Sequence, residues 1–372
     1  MNNNASANAF TQNAAASRAL RMTSPRYRKP VGTFTGAVGQ TTRVKLDNVG
    51  VLTGVLLRVY GTFTSGTAAG TPSDAAPFNV IRRVKFSEYD GTDRVDVSGH
   101  HLWLINSQRE RQPYGYHNDA RTAALTLPKI DTSATGSGKA YEFFLYVPLA
   151  YNPETDLRGA ILAQTGVGEL YLSVDWASAA QWIANGNEDA VLTSATGTVS
   201  AQTCYVDVWQ DYLVARDMGN GQVPLPLLDL MTVYELKGSL RSTDNLGANL
   251  AKQIDIPNVR SVVGATFTYL NNGAYTQTDL SRIQVVVNST NVIHDNTVDA
   301  QFNEQRRWAR SDLGKAAWFL PTLRAVPIQT AQIGNTQVWI TPSAYTSSAN
   351  TWIERTFESF YSKGSTLPGV NQ

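Results

Sequence analysis

Along most of the chain the apolar positions recur every second residue, the period of a half-buried strand. Arg43–Asp47 (RVKLD) alternates polar and apolar side chains, and Val51–Tyr60 (VLTGVLLRVY) is a β-branched, apolar run followed by turns at Gly66 and Gly70. Asn79–Ser87, Tyr141–Leu149, Gly168–Trp176 and Cys204–Leu213 complete a first set of predicted strands. Tyr89–Thr92 (YDGT) reads as a hairpin turn, since Asp-Gly tolerates the positive φ such turns need. A second set follows at Thr232–Leu240, Lys252–Ile256, Ser261–Leu270, Ser281–Asn288, Thr336–Ile340 and Thr351–Tyr361. Only Val298–Leu313 (VDAQFNEQRRWARSDL) departs from this rhythm, and its helix formers predict a short helix or a loop excursion. Many short strands with few helices predict an all-β sandwich or barrel.

Between the two sets stands Val223–Leu227 (VPLPL), whose prolines cannot donate to a sheet ladder and therefore mark a join. The halves resemble each other. Asn48 and Asn258 are 210 residues apart (258 − 48), as are Gly54 and Gly264, and both pairs sit in similar strand contexts. Ile81–Phe86 has its counterpart in Leu280–Val285, now 199 residues on, a change in loop length that surface loops tolerate cheaply. Two tandem copies of one β-barrel is the reading that follows. The boundaries expected are an N-terminal arm over 1–30, a first barrel over 31–219, a linker over 220–231 and a second barrel over 232–372.

The 372 residues suit two domains, and only 16% are charged, which fits a chain whose flanks neighbours cover. A net charge of +1 argues against coating nucleic acid, which needs a strong basic excess, and no direct sequence-specific nucleic-acid binding is expected. The single cysteine, Cys204, excludes an internal disulfide, and no apolar run is long enough to span a membrane as a helix. The start carries no secretory signal, so synthesis in a cytoplasm is expected. Charge is uneven in one place: the first 30 residues hold Arg18, Arg21, Arg26, Arg28 and Lys29, no acid, and Phe10 as the one large apolar residue of the stretch up to Ala19. A short helical or extended arm lying on an anionic surface, such as lipid headgroups, fits that composition.

No constellation for catalysis, cofactor or metal binding stands out. On a strand, adjacent His100 and His101 would point to opposite faces, one ring packed and one exposed, while His117 and His294 stand apart. Asp90, Asp93 and Asp96 lack the bidentate Glu that closes a calcium loop. Glu154 with Asp156, or Glu354 with Glu358, could be imagined as glycosidase acids, but spacing alone cannot set them across a cleft. Cys204 reads as a small core residue, and Asn288-Ser-Thr matters only to a secreted chain. Trp103, Trp176, Trp209, Trp318, Trp339 and Trp352 fall in or beside strands, as core and interface anchors do.

Three stretches closely resemble the tectivirus major capsid proteins, those of membrane-containing bacteriophages. They are Ser98–Asn106 (SGHHLWLIN), Tyr146–Ala163 (YVPLAYNPETDLRGAILA) with Leu170–Val174 after it, and Val208–Leu213 (VWQDYL) followed by Leu225–Leu236 (LPLLDLMTVYEL). The resemblance implies a double jelly roll of two tandem eight-stranded barrels, three subunits forming a pseudo-hexagonal tile, and an icosahedral shell around a lipid membrane that encloses double-stranded DNA. It also implies minor vertex or cement proteins as partners, and an N-terminal segment facing the membrane. There the Ala/Asn-rich composition departs from the family's pattern. The loops Thr62–Pro77, Asp131–Lys139 and Ala184–Gln202 would decorate the surface or clasp neighbours. Two other classes compete: a receptor- or carbohydrate-binding β-sandwich of a virion spike, and a glycoside hydrolase.

Overall fold

The structure is a computed structural model. It describes residues 24–64, 70–109, 128–131, 138–153, 156–163, 168–194, 199–214, 232–258, 260–309, 317–320, 328–329 and 335–362. Eight principal strands form the first half: β1 (Arg26–Gly36), β2 (Thr41–Leu46), β3 (Val51–Thr64), β4 (Ile81–Ser87), β5 (Asp93–Val97), β6 (Lys139–Pro148), β7 (Leu170–Trp176) and β8 (Ser200–Leu213). Helix α1 (Gly99–Arg109) lies between β5 and β6. Eight more form the second: β9 (Thr232–Ser242), β10 (Lys252–Asp255), β11 (Ser261–Leu270), β12 (Leu280–Val287), β13 (Asn291–Thr297), β14 (Ala317–Phe319), β15 (Thr336–Pro342) and β16 (Trp352–Ser362). Helix α2 (Val298–Ala309) lies between β13 and β14.

Each half is a jelly roll. In the first, the sheets run β1-β8-β3-β6 and β2-β7-β4-β5; in the second, β9-β16-β11-β14 and β10-β15-β12-β13. Every strand of one half has its equivalent eight places later, in the same sheet position. The spacings read from the sequence fall on these equivalents, since β3 and β11 start 210 residues apart (261 − 51) and β4 and β12 start 199 apart (280 − 81). Even a bulge repeats: the ladder skips Thr53 in β3 and Val263 in β11, each directly before the glycine of the pair Gly54 and Gly264. Those glycines have no room for a side chain. A Cβ on Gly54 would lie 2.1 Å from Tyr146 Oη, and one on Gly264 would lie 2.7 Å from Glu358 Oε1.

Each barrel has its own apolar interior, built from the alternate inward residues of facing sheets. In the first, Val55, Leu57 and Val59 of β3 meet Phe86, Val174 and Trp182; in the second, Phe267, Ile283, Trp318 and Val338 fill the centre. Leu236 of β9 joins the first barrel's core.

Two expectations are corrected. His100 and His101 lie on helix α1, not on a strand, and both are buried, at 8% and 0% exposure. Strand β1 begins at Arg26, inside the segment expected as an arm, because its backbone pairs with β8 from Arg26↔Leu213 to Gly36↔Cys204. Val298–Ala309 is a helix, as its composition predicts. The proline-rich join at 223–227 lies outside the described residues.

Candidate functional site: the seam between the barrels

Many of the polar side chains that the fold buries collect where the two barrels meet. The seam starts at a strand edge. Val95 and Asp96 of β5 lie beside Leu236 and Lys237 of β9 in a parallel pair, which merges one sheet from each barrel into a nine-stranded sheet. Immediately after β5 the chain turns into α1. Gly99 is needed at that corner, because a Cβ would meet the carbonyl oxygens of Phe78 at 2.4 Å and Ile81 at 2.6 Å. The helix then lies against the second barrel.

His101 is the helix's central contact. Its Nδ1 is 2.8 Å from Thr356 Oγ1 and its Nε2 is 2.9 Å from Thr268 Oγ1, two hydroxyls on neighbouring second-barrel strands. A neutral imidazole suits this pair, donating to one hydroxyl and accepting from the other. Burial keeps its pKa below the usual histidine value, opposed by Glu354 nearby. His100 packs against Trp103 and Tyr275. Burial, reinforced by His101, pushes its pKa down to about 3.

Beside the histidines stands a charge network. Asp189, in a first-barrel loop, accepts from Arg241 of β9 through both carboxylate oxygens at 2.6 and 2.7 Å, and from Arg82 of β4 at 2.8 Å. Arg241 continues to Glu354 at 3.2 Å and lies 4.1 Å over the Trp352 ring. Burial alone would raise the Asp189 pKa, but the hydrogen bond from Arg241 and the charge of Arg82 outweigh it and hold the carboxyl below its usual range. These residues leave a cleft of about 10 Å³, lined in part by Asn79, His100 and Tyr275. That volume holds one water at most, so the cleft is not a substrate pocket.

At the far end of α1, Arg109 is paired with Glu358 and bonded to Tyr234, both fully buried second-barrel residues, and donates to the Tyr151 carbonyl at 2.9 Å. Tyr234 donates to Glu358 at 2.9 Å. Burial would lower the Arg109 pKa, yet the Glu358 charge more than compensates and its pKa is raised. Apolar contacts close the gaps: Ala75 with Leu270, Tyr275 and Trp352, and Leu104 with Ala317 and Phe319. Residues 184–194 contribute too. They pair Leu192–Ser194 with Thr71–Pro72 of the first barrel, and the Glu188 N–H donates to the Gly273 carbonyl of the second at 2.6 Å.

The expected arm residues behave differently. Arg28 grips the buried Asp211 with bonds of 2.7 and 2.8 Å, Arg26 adds a third at 3.1 Å, and Lys29 pairs with Asp47 at 2.7 Å. These three cations are engaged by two acids within the first barrel. Phe10, Arg18 and Arg21 lie outside the described residues, as do His117 and Glu154.

The remaining candidates resolve into structure. Glu354 and Glu358 are both seam carboxylates, each held by an arginine, rather than a pair of acids across a cleft. Asp90 caps its own turn through the Thr92 N–H at 2.9 Å, Asp96 pairs with Arg83, and Asp156 with Arg158. His294 is half-buried beside Gln301. Cys204 is a free, buried thiol, and burial raises its pKa. The described residues contain no group of His, Cys, Asp and Glu arranged for a metal. Trp176, Trp318 and Trp352 are buried, and Trp103, Trp209 and Trp339 half-buried.

Comparison with known proteins agrees with this arrangement. Residues 24–210 match the family described as P3 major capsid protein N-terminal. The chain is 27% identical over 318 residues to the major capsid protein P3 of Enterobacteria phage PRD1, covering 81% of this chain and 79% of that protein. In fold it is similar to the STIV major capsid protein, with a TM-score of 0.68, 11% identity, and 92% of this chain and 100% of that one covered. The major capsid protein P2 of bacteriophage PM2 is also similar, with a TM-score of 0.51, 11% identity, and coverage of 92% and 99%.

Proposed function

The chain belongs to the P3 major capsid protein family, and on that premise we propose that three copies close into a homotrimeric, pseudo-hexagonal capsomer of an icosahedral shell. It is a structural component of a virus capsid and not an enzyme. The observation that carries the trimer is the seam. Two barrels of one topology are locked side by side by a shared sheet and by buried ion pairs, so a single chain supplies two equivalent lobes and three chains supply six.

The shell so formed surrounds an internal lipid membrane that encloses double-stranded DNA, and it is completed by minor vertex or cement proteins. The subunit is made in the cytoplasm of the bacterial host. With Arg26, Arg28 and Lys29 engaged in β1, the membrane contact falls to the preceding segment that carries Phe10, Arg18 and Arg21. Native mass spectrometry tests the oligomer: a trimer that persists on dilution supports the reading, and a monomer overturns it. Electron microscopy of assembled particles should then show six-sided capsomers. Deleting residues 1–23 should leave the trimer intact and abolish its binding to anionic vesicles. Unchanged vesicle binding would remove the membrane role.

A further inference from the structure

The duplication gives every strand edge of one barrel a counterpart in the other, but two counterparts differ in what covers them. Within the chain, edge strand β5 of the first barrel is paired with edge strand β9 of the second. Their equivalents are β13 and β1, which end their own sheets with no further strand beside them among the described residues. They are also the two most exposed long strands of the fold. Of the four large apolar side chains that stand exposed among the described residues, three lie there, Tyr27 on β1 and Val292 and Ile293 on β13, at 49%, 45% and 52% exposure, and the fourth is Leu250. Exposed apolar residues gathered on two open edges are a pairing surface.

The sheet faces differ in the same sense. Helix α1 covers the outer face of the β9-β16-β11-β14 sheet, where Thr268, Glu354 and Thr356 are at most 2% exposed. Following the paired registers through Gly54 and Gly264, the equivalents of these residues are Arg58, Asp207 and Trp209. They are only partly buried, the Arg58 side chain at 37%, on the outer face of the β1-β8-β3-β6 sheet. Around them that face carries the stacked pair Tyr60–Tyr205. Tyrosine, tryptophan and arginine together are the composition of an interface core. The helix equivalent to α1 is α2, whose Asp299 and Ala300 are exposed.

We propose that β13 and α2 of one copy dock on β1 and the outer β1-β8-β3-β6 face of a second copy, repeating between chains the seam that β5 and α1 make within one. The inference deepens the trimer reading and rests on it. Each subunit offers both halves of the contact, so the association is head to tail, and in the trimer three such contacts close a ring. Register follows from the internal precedent. Val95↔Leu236 and Asp96↔Lys237 in the chain correspond to His294↔Arg28 and Asp295↔Lys29 between chains. The second correspondence sets a carboxylate beside an ammonium, as the first does, and the partner of Asp96 has its own equivalent: Arg83 pairs with Asp96, and Arg282 with Asp295.

Paired cysteines test this directly, because the native Cys204 is buried. Under mild oxidation Asp96→Cys with Lys237→Cys should close a disulfide inside one chain and serve as the positive control. Lys29→Cys with Asp295→Cys should instead yield covalent dimers and trimers on non-reducing gels. Native mass spectrometry of the same samples separates the possible failures. Trimers that form but do not cross-link at 29 and 295 overturn the docking and leave the trimer standing; monomers overturn both. A second variant guards against a disturbed pair. Ile293→Arg should leave the unfolding midpoint of the subunit unchanged and weaken trimer association by at least about tenfold, the cost of placing a charge in an apolar contact. An unchanged association constant would count against β13 as the docking edge.

Discussion

The two barrels share a topology, a bulge and a pair of glycines, yet they treat one equivalent acid in opposite ways. Asp211 of β8 and Glu358 of β16 lie at matching positions, opposite Gly54 and Gly264, and both are buried. Asp211 is neutralised from its own barrel by Arg26 and Arg28, which remain 37% and 43% exposed. Glu358 is neutralised by Arg109, which belongs to the other barrel and is 12% exposed. The same position therefore fastens a strand in the first barrel and fastens the barrels to each other in the second. Duplication supplied the scaffold, and the partner brought to the acid decides which function it serves.

The largest expected effect is that of acid. His100 and His101 are both seam residues whose pKa values burial depresses, so the folded state leaves them neutral while the unfolded chain protonates them below its ordinary histidine value near 6.5. The unfolded state binds more protons in that window, and stability must fall as pH drops from about 6.5 toward about 3. The slope from His100 is about 1.4 kcal/mol per pH unit over that window, and His101 adds a loss of the same sign. Asp189 adds a later loss: its stabilisation is present above the ordinary carboxylate pKa and disappears as pH falls through its lower folded value. Denaturant titrations across this range should show the slope, and His100→Gln should flatten it. A flat profile in the wild-type chain would mean that the seam is open to solvent.

Next comes the comparison of the two acids themselves. Arg109→Met takes the paired cation from the buried Glu358 and should cost about 3–5 kcal/mol, the loss typical when one partner of a buried pair is removed. Asp211→Asn keeps the shape and leaves two partly solvated arginines, so about 1–2 kcal/mol is expected after allowing for their exposure. Chemical denaturation reads both. Equal losses would mean that the seam is no more desolvated than the barrel's flank, and the distinction drawn between them would fail.

The glycine pair sharpens the point. Gly54→Ala drives a methyl group into Tyr146, and Gly264→Ala drives one into Glu358; each should cost about 1–3 kcal/mol through overpacking. The second loss should depend on the ion pair. In an Arg109→Met background, where Glu358 has already lost its anchor, Gly264→Ala should cost measurably less, while Gly54→Ala should cost the same as before. A double-mutant cycle measures this, and full additivity at Gly264 would uncouple the glycine from the seam.

What the sequence revealed follows from where each residue's partner lies. Strands with one face on a core, such as Leu170–Trp176 and Ser261–Leu270, show themselves by alternation, because water on one side and side chains on the other leave a period of two. Helix α1 did not show itself. SGHHLWLIN has no polar face, since the helix is buried between the barrels, and a helix buried all round has no amphipathic period. Strands β1 and β13 were missed for the opposite reason: neither has a fully buried residue in the single chain, so RYRKPVGTFTG and NVIHDNT carry little apolar pattern. The seam was illegible because Arg109 and Glu358 stand 249 residues apart, and no local spacing announces such a pair.

The smallest effect concerns the two edge pairs, and it separates folding from association. Arg83–Asp96 and Arg282–Asp295 are equivalent, but Asp96 lies alongside β9 while Asp295 faces outward, with 22% and 39% of the respective side chains exposed. Asp96→Asn should lower the folding stability of the subunit by about 0.5–1 kcal/mol, the range of a partly exposed pair. Asp295→Asn should leave the denaturation curve of the subunit where it was, because the aqueous surroundings replace what the carboxylate gives Arg282. If a second copy's β1 completes that edge, the same substitution should still lower the salt concentration at which trimers dissociate, since Lys29 then loses its cross-chain acid. A trimer indifferent to Asp295→Asn, but weakened by Ile293→Arg, would keep the docking edge and remove only its charge register. Indifference to both would confine the pairing of such edges to the inside of the chain.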